Sequence, residues 1–198
     1  MSGQQGLNPA RSAPPRETPQ RAKISGYVSQ FTMKDGTEVT LRPICPADEP
    51  LMVEFHKTLS DRSVYMRYFC SLPLRTRVAH DRLVHICFVD EDEQFALVVD
   101  HCDRATGQHR ILGVGRLMKM PSKDETEVAL LVSDQNQGQG LGRELLCRAV
   151  EIARDKKLHR VSAEMLRDNL AVLSIFKRAG FRIVPMVDVS SIGAVLDL

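Results

Sequence analysis

The sequence predicts an α+β fold of three layers, in which helices cover both faces of one mostly antiparallel sheet. Three apolar runs follow one another between residues 95 and 132 with turn-forming residues between them, which is typical of an antiparallel meander. A glycine-rich segment joins the last of these runs to an amphipathic helix. A strand, a helix and two final strands complete the order. The 198 residues suffice for one such domain and a tail.

Residues 1–23 are predicted to form a disordered, proline-rich tail, and residues 24–198 a single domain. The tail holds four of the ten prolines and few large apolar side chains, so it cannot bury enough surface to offset the entropy of ordering. It also holds four basic residues and one acidic residue, which leaves the rest of the chain nearly neutral although the net charge is +2. A nearly neutral domain does not favour nucleic-acid binding.

The five cysteines are scattered and include no Cys-x-x-Cys pair. Neither a disulfide framework nor a structural zinc site is expected, and no metal is expected at the active site. The sequence also contains no apolar run long enough to span a bilayer and no signal-peptide core. We therefore expect a cytoplasmic protein that does not bind membranes.

The first half of the chain is predicted to hold a hairpin followed by helices. Tyr27–Met33 and Glu38–Pro43 flank an Asp-Gly turn, which is a strong hairpin signal. Asp48 is expected to cap the helix that follows, because apolar residues then recur at helical spacing. Two further helical stretches are predicted at Ser63–Phe69 and Arg75–Ile86.

The second half alternates strands with helices. The predicted strands are Phe95–Asp100, Ile111–Met120, Thr126–Val132, His159–Met165, Phe181–Ser190 and Ala194–Leu198, the last two placed around Gly193. One helix begins near Leu141 and ends in a basic turn, which complements the helix dipole. A second covers Asn169–Ala179 and is stopped by Gly180, a residue that suits the left-handed end of a helix.

The segment Val128–Arg143 indicates a phosphate ligand. A strand, a glycine-rich turn and a helix N-terminus together form an anion site, since the first helical N–H groups have no partner and glycine allows close approach. Gly142 is followed by Arg143 and Glu144 rather than by Lys and Ser or Thr, which argues against a nucleoside-triphosphate P-loop. A dinucleotide fingerprint that starts at Gly138 would need glycine at position 143, where arginine stands.

The remaining pattern, Gln137-x-x-Gly140-x-Gly142, resembles the pyrophosphate-binding motif of the GNAT acetyltransferases. The order of predicted elements over residues 24–198 is similar to the GNAT fold. The resemblance implies that acetyl-CoA is the cosubstrate and that Leu131 and Val132 offer backbone groups to its pantetheine arm. It places the pyrophosphate on the turn formed by Gln137, Gly138, Gln139, Gly140, Leu141, Gly142 and Arg143.

A second segment extends the resemblance. Asp168-Asn169, followed by Ile175 to Phe181, is similar to another cofactor motif of the family, which implies that Asn169 and Phe176 lie near the pantetheine. Asn169 is equally well explained as a helix cap. Many members have tyrosine where Phe176 stands, and that tyrosine is often assigned as the acid that protonates the CoA thiolate. The phenylalanine leaves the identity of a general acid open.

The resemblance also implies direct acyl transfer to an amine, which needs a base because a lysine has a pKa of about 10.4 and is protonated at neutral pH. Glu127 lies on the strand that leads into the phosphate turn and resembles the general base of protein-acetylating members. A glutamate at the head of an apolar strand is also unusual for a purely structural residue. Glu125 lies on the same face and is the less favoured candidate.

The N-terminal half resembles the acetyltransferase domain of Pat-type bacterial protein lysine acetyltransferases. The similar segments are Leu41–Ile44, Pro46–Leu51, Leu59-Ser60 and Ser63–Phe69. The resemblance implies that the acceptor is a lysine of a metabolic enzyme such as acetyl-CoA synthetase, and that Arg67 and Tyr68 border its site. The alternatives are a small-molecule amine N-acetyltransferase and an acyl-CoA-sensing module without turnover. A monomer or weak homo-oligomer is expected.

Overall fold

A computed structural model describes residues 26–87, 93–121 and 124–198. The tail predicted at residues 1–23 and the expected start of the domain at Ile24 lie outside these residues.

The described residues form one sheet of eight strands in the order β1-β2-β3-β4-β5-β6-β8-β7. Neighbouring strands are antiparallel except β5 and β6, which are parallel. This arrangement confirms the mostly antiparallel sheet predicted from the sequence. The strands are β1 (Ser29–Thr32), β2 (Glu38–Pro43), β3 (Gln94–Cys102), β4 (His109–Lys119), β5 (Glu125–Val132), β6 (Arg160–Leu166), β7 (Arg182–Pro185) and β8 (Ser191–Asp197).

Helices cover both faces of the sheet, as predicted. They are α1 (Glu49–Lys57), α2 (Asp61–Tyr68), α3 (Leu74–Arg77), α4 (His80–Cys87), α5 (Leu141–Asp155) and α6 (Leu170–Arg178). Successive residues of β3 show the two faces: Leu97 packs in the cluster of α5 and α6, whereas Val98 packs in the cluster of α1, α2 and α4. We call these the α5 face and the α1 face.

Three details differ from the sequence prediction. The helical stretch expected at Arg75–Ile86 is two helices, α3 and α4. Gly193 lies inside β8 rather than between strands, and the chain turns earlier, between Pro185 and Ser191. A side chain at position 193 would collide with β7, since an ideal Cβ there would lie 2.7 Å from Cγ2 of Val184. This glycine is therefore required by close packing rather than by a turn.

Asp48 precedes α1, as expected, but its carboxylate does not cap that helix. Its two oxygens instead accept hydrogen bonds of 2.7 Å from the Arg42 guanidinium and one of 2.8 Å from the Cys45 N–H. Arg42 also donates to Asp100 on β3 at 2.8 Å. Burial alone would raise the pKa of Asp48, but these hydrogen bonds outweigh it and hold the pKa below its ordinary value of 3.8.

Replacing Asp48 with Asn should lower the free energy of unfolding by about 1–3 kcal/mol, because a partly buried guanidinium loses its bidentate partner. The matched control is Glu54→Gln, which breaks an exposed ion pair with Lys57 and should cost less than about 0.5 kcal/mol. Both values can be measured by urea denaturation.

Since the pKa of Asp48 is depressed, its contribution is complete above pH 4 and is lost as the pH falls below that value. A difference from wild type that grows on acidification would contradict this account.

Candidate active site

The sheet opens between β5 and β6. These strands pair only over three residues each, Glu125–Glu127 with Arg160–Ser162, and then diverge. A groove with a volume of about 560 Å³ lies where they separate. Its walls include Leu130, Leu131 and Val132 of β5, the turn after β5, and the first half of α6. β5 pairs with β4 from Thr126 to Val132. Where β5 has left β6, the backbone groups on its other side are therefore available for hydrogen bonds.

The glycine-rich turn closes one end of the groove and begins α5. Gly138 and Gly140 have φ angles of 77° and 97°, in the left-handed region that favours glycine. Gly140 is the N-cap of α5 and provides no side-chain cap. The first backbone bond of the helix runs from the Glu144 N–H to the Gly140 carbonyl, which leaves the preceding N–H groups available to a ligand. Gly142, in the first turn, lines the groove.

A hydrogen-bond network ties this turn to α2. Asp134, just after β5, accepts from the Ser60 N–H at 2.6 Å and from the hydroxyl groups of Ser60 and Ser63. The Gln137 amide donates to the Ser63 hydroxyl, to Asp134 and to the Val132 carbonyl at 3.2–3.3 Å. Burial would raise the pKa of Asp134, but the serine hydrogen bonds outweigh it and keep the pKa below its ordinary value. The network holds α2 over the groove.

Most of the residues predicted to bind the cosubstrate line the groove. These are Leu131, Val132, Gln137, Gly138, Leu141, Gly142 and Asn169. The Asn169 side chain also caps α6 by accepting from the Val172 N–H at 3.3 Å, so the two explanations of this residue are compatible.

Three predicted residues lie on the turn but outside the groove walls. The Gln139 carbonyl accepts from the Lys34 N–H of the hairpin at 3.3 Å, and Gly140 faces the ring of Phe31. Arg143 is exposed on the first turn of α5.

Phe176 does not reach the groove. It is 2% exposed and packs edge-to-face on Phe181, with ring centroids 4.8 Å apart. The preceding residue, Ile175, lines the groove instead. Side chains of successive helical residues point in directions about 100° apart. When Ile175 faces the groove, the side chain of Phe176 therefore points into the core.

Part of the groove wall consists of residues that were not predicted to bind the cosubstrate, although Arg67 was expected to border the acceptor site and Asp168 and Ile175 belong to the second motif. It comes from α2 and the residue before it, from Asp134 and Asn136, and from the start of α6. The groove residues in this group are Ser60, Arg62, Ser63, Met66, Arg67, Asp134, Asn136, Asp168, Leu170, Ala171, Val172 and Ile175. Within α2, Ser63, Met66 and Arg67 have the i, i+3, i+4 spacing of one helical face, which is the signal that could have grouped them.

Glu127 lies where β5 and β6 part. It occupies the last paired position, opposite Ser162 on β6 and Met118 on β4. Its half-buried side chain points to the α1 face, because the neighbouring Val128 packs in the core of the α5 face. Among the described residues, no hydrogen bond to its carboxylate is found, and its charge interacts with that of Arg67. Its carboxylate can therefore accept a proton. Glu127 is not part of the groove wall and lies on β5 three residues before Leu130, where the wall begins.

Glu125 is differently placed. Its carboxylate accepts from Arg160 at 2.9 Å, and Arg160 also donates to Asp197 at 2.8 Å. These bonds hold Glu125 in an ion-pair network at the edge of the fold. The geometry therefore favours Glu127 over Glu125 as a base.

Comparison with known proteins identifies this architecture. The family profile described as "Acetyltransferase (GNAT) domain" matches residues 38–182, which include β2 to β6, the groove and Glu127. The chain belongs to the GNAT acetyltransferase family. It is accordingly an acyl-CoA-dependent N-acetyltransferase, as the sequence predicted. None of the helices in the described parts of the chain is both long and apolar enough to cross a membrane.

Related proteins agree with this assignment. Over 133 residues the chain is 26% identical to Acetyltransferase PA5475 of Pseudomonas aeruginosa, covering 67% of this chain and 69% of that protein. The GNAT domain of S. lividans PAT has a similar fold, with a TM-score of 0.76 and 24% identity over 88% of this chain and 98% of that one. A PaiA N-acetyltransferase from Thermoplasma acidophilum, solved with coenzyme A, gives a TM-score of 0.63 at 15% identity, covering 81% of this chain and 99% of that one.

The GNAT groove has the chemistry that acetyl-CoA requires. A pyrophosphate needs N–H donors that glycine leaves accessible, and the uncapped start of α5 supplies them. A pantetheine arm carries two amides, which match the backbone groups on the open side of β5. The groove walls are largely apolar where Leu130, Leu131 and Ile175 line them, as suits the alkyl parts of the arm.

Proposed function

We propose that the protein transfers an acetyl group from acetyl-CoA directly to a lysine amine of a target protein, with Glu127 as the general base. The observation that carries this proposal is the position of Glu127 at the last β5–β6 pair. There its carboxylate has no hydrogen bond within the described residues and points to the α1 face, three residues before the groove wall begins at Leu130. A lysine with a pKa of about 10.4 must lose a proton before it can attack a carbonyl carbon.

The proposed cosubstrate site uses the predicted residues that line the groove. The N–H groups at the start of α5 would hold the pyrophosphate, and the backbone of Leu131 and Val132 would orient the pantetheine. Asn169 would lie beside the pantetheine. Bound acetyl-CoA supplies the thioester that the amine attacks; the new C–N bond forms as the C–S bond breaks, and CoA leaves as its thiolate. Glu127 takes the amine proton, directly or through water, and Phe176 supplies none because it is buried and lacks a hydroxyl group.

The choice of a protein acceptor is supported by the segments similar to Pat-type enzymes and by the fold shared with the S. lividans PAT domain. From the resemblance to Pat-type enzymes we propose a metabolic enzyme such as acetyl-CoA synthetase as the target, and with it a cytoplasmic location for the protein. The main alternative acceptor is a small amine, since a shared fold, such as that with the PaiA N-acetyltransferase, shows the architecture and not the acceptor.

Incubation of the purified protein with labelled acetyl-CoA and a cell lysate tests the acceptor class. The lysate is then separated into protein and small-molecule fractions, with Glu127→Gln as the control for spontaneous acetylation. We expect label on lysines of proteins, well above the level with the variant. Label confined to small amines would reject the protein acceptor, and equal label with both proteins would reject Glu127 as the base.

A further inference from the structure

Three arginines gather on the α1 face beside Glu127. Arg67 of α2 and Arg82 of α4 lie against the ring of Tyr68, with guanidinium carbons 5.1 and 5.0 Å from its centroid. Arg116 of β4 lies opposite Ala129 in the β4–β5 register, which puts it on the same face as Glu127. We call Arg67, Arg82 and Arg116 the arginine cluster.

The positive charge of the cluster is poorly compensated. In the described part of the chain, no carboxylate hydrogen-bonds to any of the three arginines, and Arg116 donates only to the neutral amide of Gln94, at 2.5 Å. Burial lowers the pKa of Arg67 and of Arg116, and repulsion between these guanidinium groups lowers it further for Arg116. Glu127 offsets the charge of Arg67 only in part. Because partly buried cations with too little counter-charge are costly, an incoming anion would stabilise the cluster.

A buried histidine adds a second, independent feature. His56 of α1 is 1% exposed, and neither ring nitrogen has a hydrogen-bond partner within the described residues. It lines a small cavity of about 20 Å³ together with Arg67, Tyr68 and Arg116. Burial and the charges of Arg77 and Arg82 lower the pKa of His56 to about 4, so the ring is neutral at pH 7 and carries one N–H donor. A cavity of this size admits only a group of a few atoms.

The cavity adjoins the inner end of the groove. Arg67 and Leu131 line both spaces. Ala129, another wall residue of the cavity, lies two positions after Glu127 on the same face of β5. An acceptor whose amine meets Glu127 would therefore present its neighbouring groups to the arginine cluster.

We propose that the arginine cluster and His56 bind a carboxylate of the acceptor, and that for a protein acceptor this carboxylate belongs to an Asp or Glu beside the reactive lysine. This inference rests on the proposed function. A lysine ammonium alone would be repelled by three guanidinium groups facing a single glutamate. A flanking carboxylate offsets that repulsion and fixes the amine near Glu127, and a carboxylate fits both the donors present and the small cavity.

Peptides with one lysine test this inference. In one set Asp or Glu flanks the lysine, and in the matched set Asn or Gln stands in the same place. For the wild type we expect kcat/KM to be at least about tenfold higher with the acidic peptides, which corresponds to about 1.4 kcal/mol. In Arg82→Gln the preference should fall to about twofold or less, whereas Arg82→Lys should keep most of it. The Kd for acetyl-CoA should stay unchanged in both variants and serves as the folding control, since Arg82 does not line the groove.

The possible outcomes separate this inference from the proposed function. Equal rates on acidic and neutral peptides would overturn the inference while leaving lysine acetylation intact. Acetylation of free amino acids, but neither of their amides nor of any peptide, would support the carboxylate site and reject the protein acceptor.

If the peptides react too slowly to measure, the lysines labelled in lysate replace them. An excess of flanking acidic residues over unlabelled lysines of the same proteins would support the inference, and its absence would reject it.

Discussion

Replacing Glu127 with Gln should lower kcat by about 10²–10⁴-fold while leaving the Kd for acetyl-CoA nearly unchanged, because the amide cannot accept the amine proton. The substitution preserves the size of the side chain, and Glu127 is not part of the groove wall. Both quantities are measurable with the same preparation, by the rate of acetyl transfer at saturating acetyl-CoA and by calorimetric titration. Loss of transfer with retained binding is the signature of a missing base.

Glu125→Gln is the matched control for this experiment. It lies two residues away on the same strand and the same face, but its carboxylate is bound by Arg160. We expect kcat within about threefold of the wild type, since the variant loses only a partly exposed ion pair. A drop of similar size in both variants would indicate damage to β5 rather than loss of a base. An unchanged rate in Glu127→Gln would remove Glu127 from the mechanism.

Replacing Gly138 with Ala should raise the Kd for acetyl-CoA at least about tenfold. Gly138 lines the groove with φ at 77°, and no protein atom lies within 4 Å of an ideal Cβ there. The added methyl group would therefore occupy space open to the ligand and move the pyrophosphate away from its N–H donors. Charge-assisted hydrogen bonds contribute about 1.5–3 kcal/mol each, so the loss of one accounts for the expected weakening.

Gly107→Ala separates this effect from backbone strain. Gly107 has φ at 68°, also with no atom within 4 Å of an ideal Cβ, but it lies in the turn between β3 and β4. Both variants should lose about 1–2 kcal/mol of stability from the left-handed backbone. Only Gly138→Ala should lose affinity for acetyl-CoA. Equal affinities in the two variants would mean that the glycine turn does not hold the cosubstrate.

The order of elements and the phosphate turn were predictable because they depend on local signals. The apolar run of β5, the glycines at positions 138, 140 and 142 and the periodicity of α5 are all contained in one continuous segment. The same segment carries Glu127, so the candidate base and the cosubstrate site could be predicted together. The family resemblance supplied the identity of the ligand.

The features that were missed depend on contacts between distant segments. Asp134 binds Ser60 across 74 positions, and no local pattern shows that α2 is the helix that meets the turn. The sequence predicted Phe176 at the groove, but Ile175 lies there instead. The residues at which α6 begins and ends do not determine which of its faces meets the groove. Gly193 suggested a turn, but its absent side chain instead makes room for Val184 of the neighbouring strand.

The binding of acetyl-CoA between β5 and β6 is tested most directly by amide hydrogen exchange with and without the cosubstrate. Slower exchange is expected at residues 130–132 and 138–143, since these N–H groups line the groove or begin α5. A second cavity, separate from the groove and from the small cavity beside His56, lies between the start of β5 and the end of α5, at the opposite end of the sheet. Its volume is about 280 Å³, and its walls include Lys156 and Leu158. Exchange there should not change. Protection confined to this second cavity, with residues 130–143 unaffected, would contradict the proposed site.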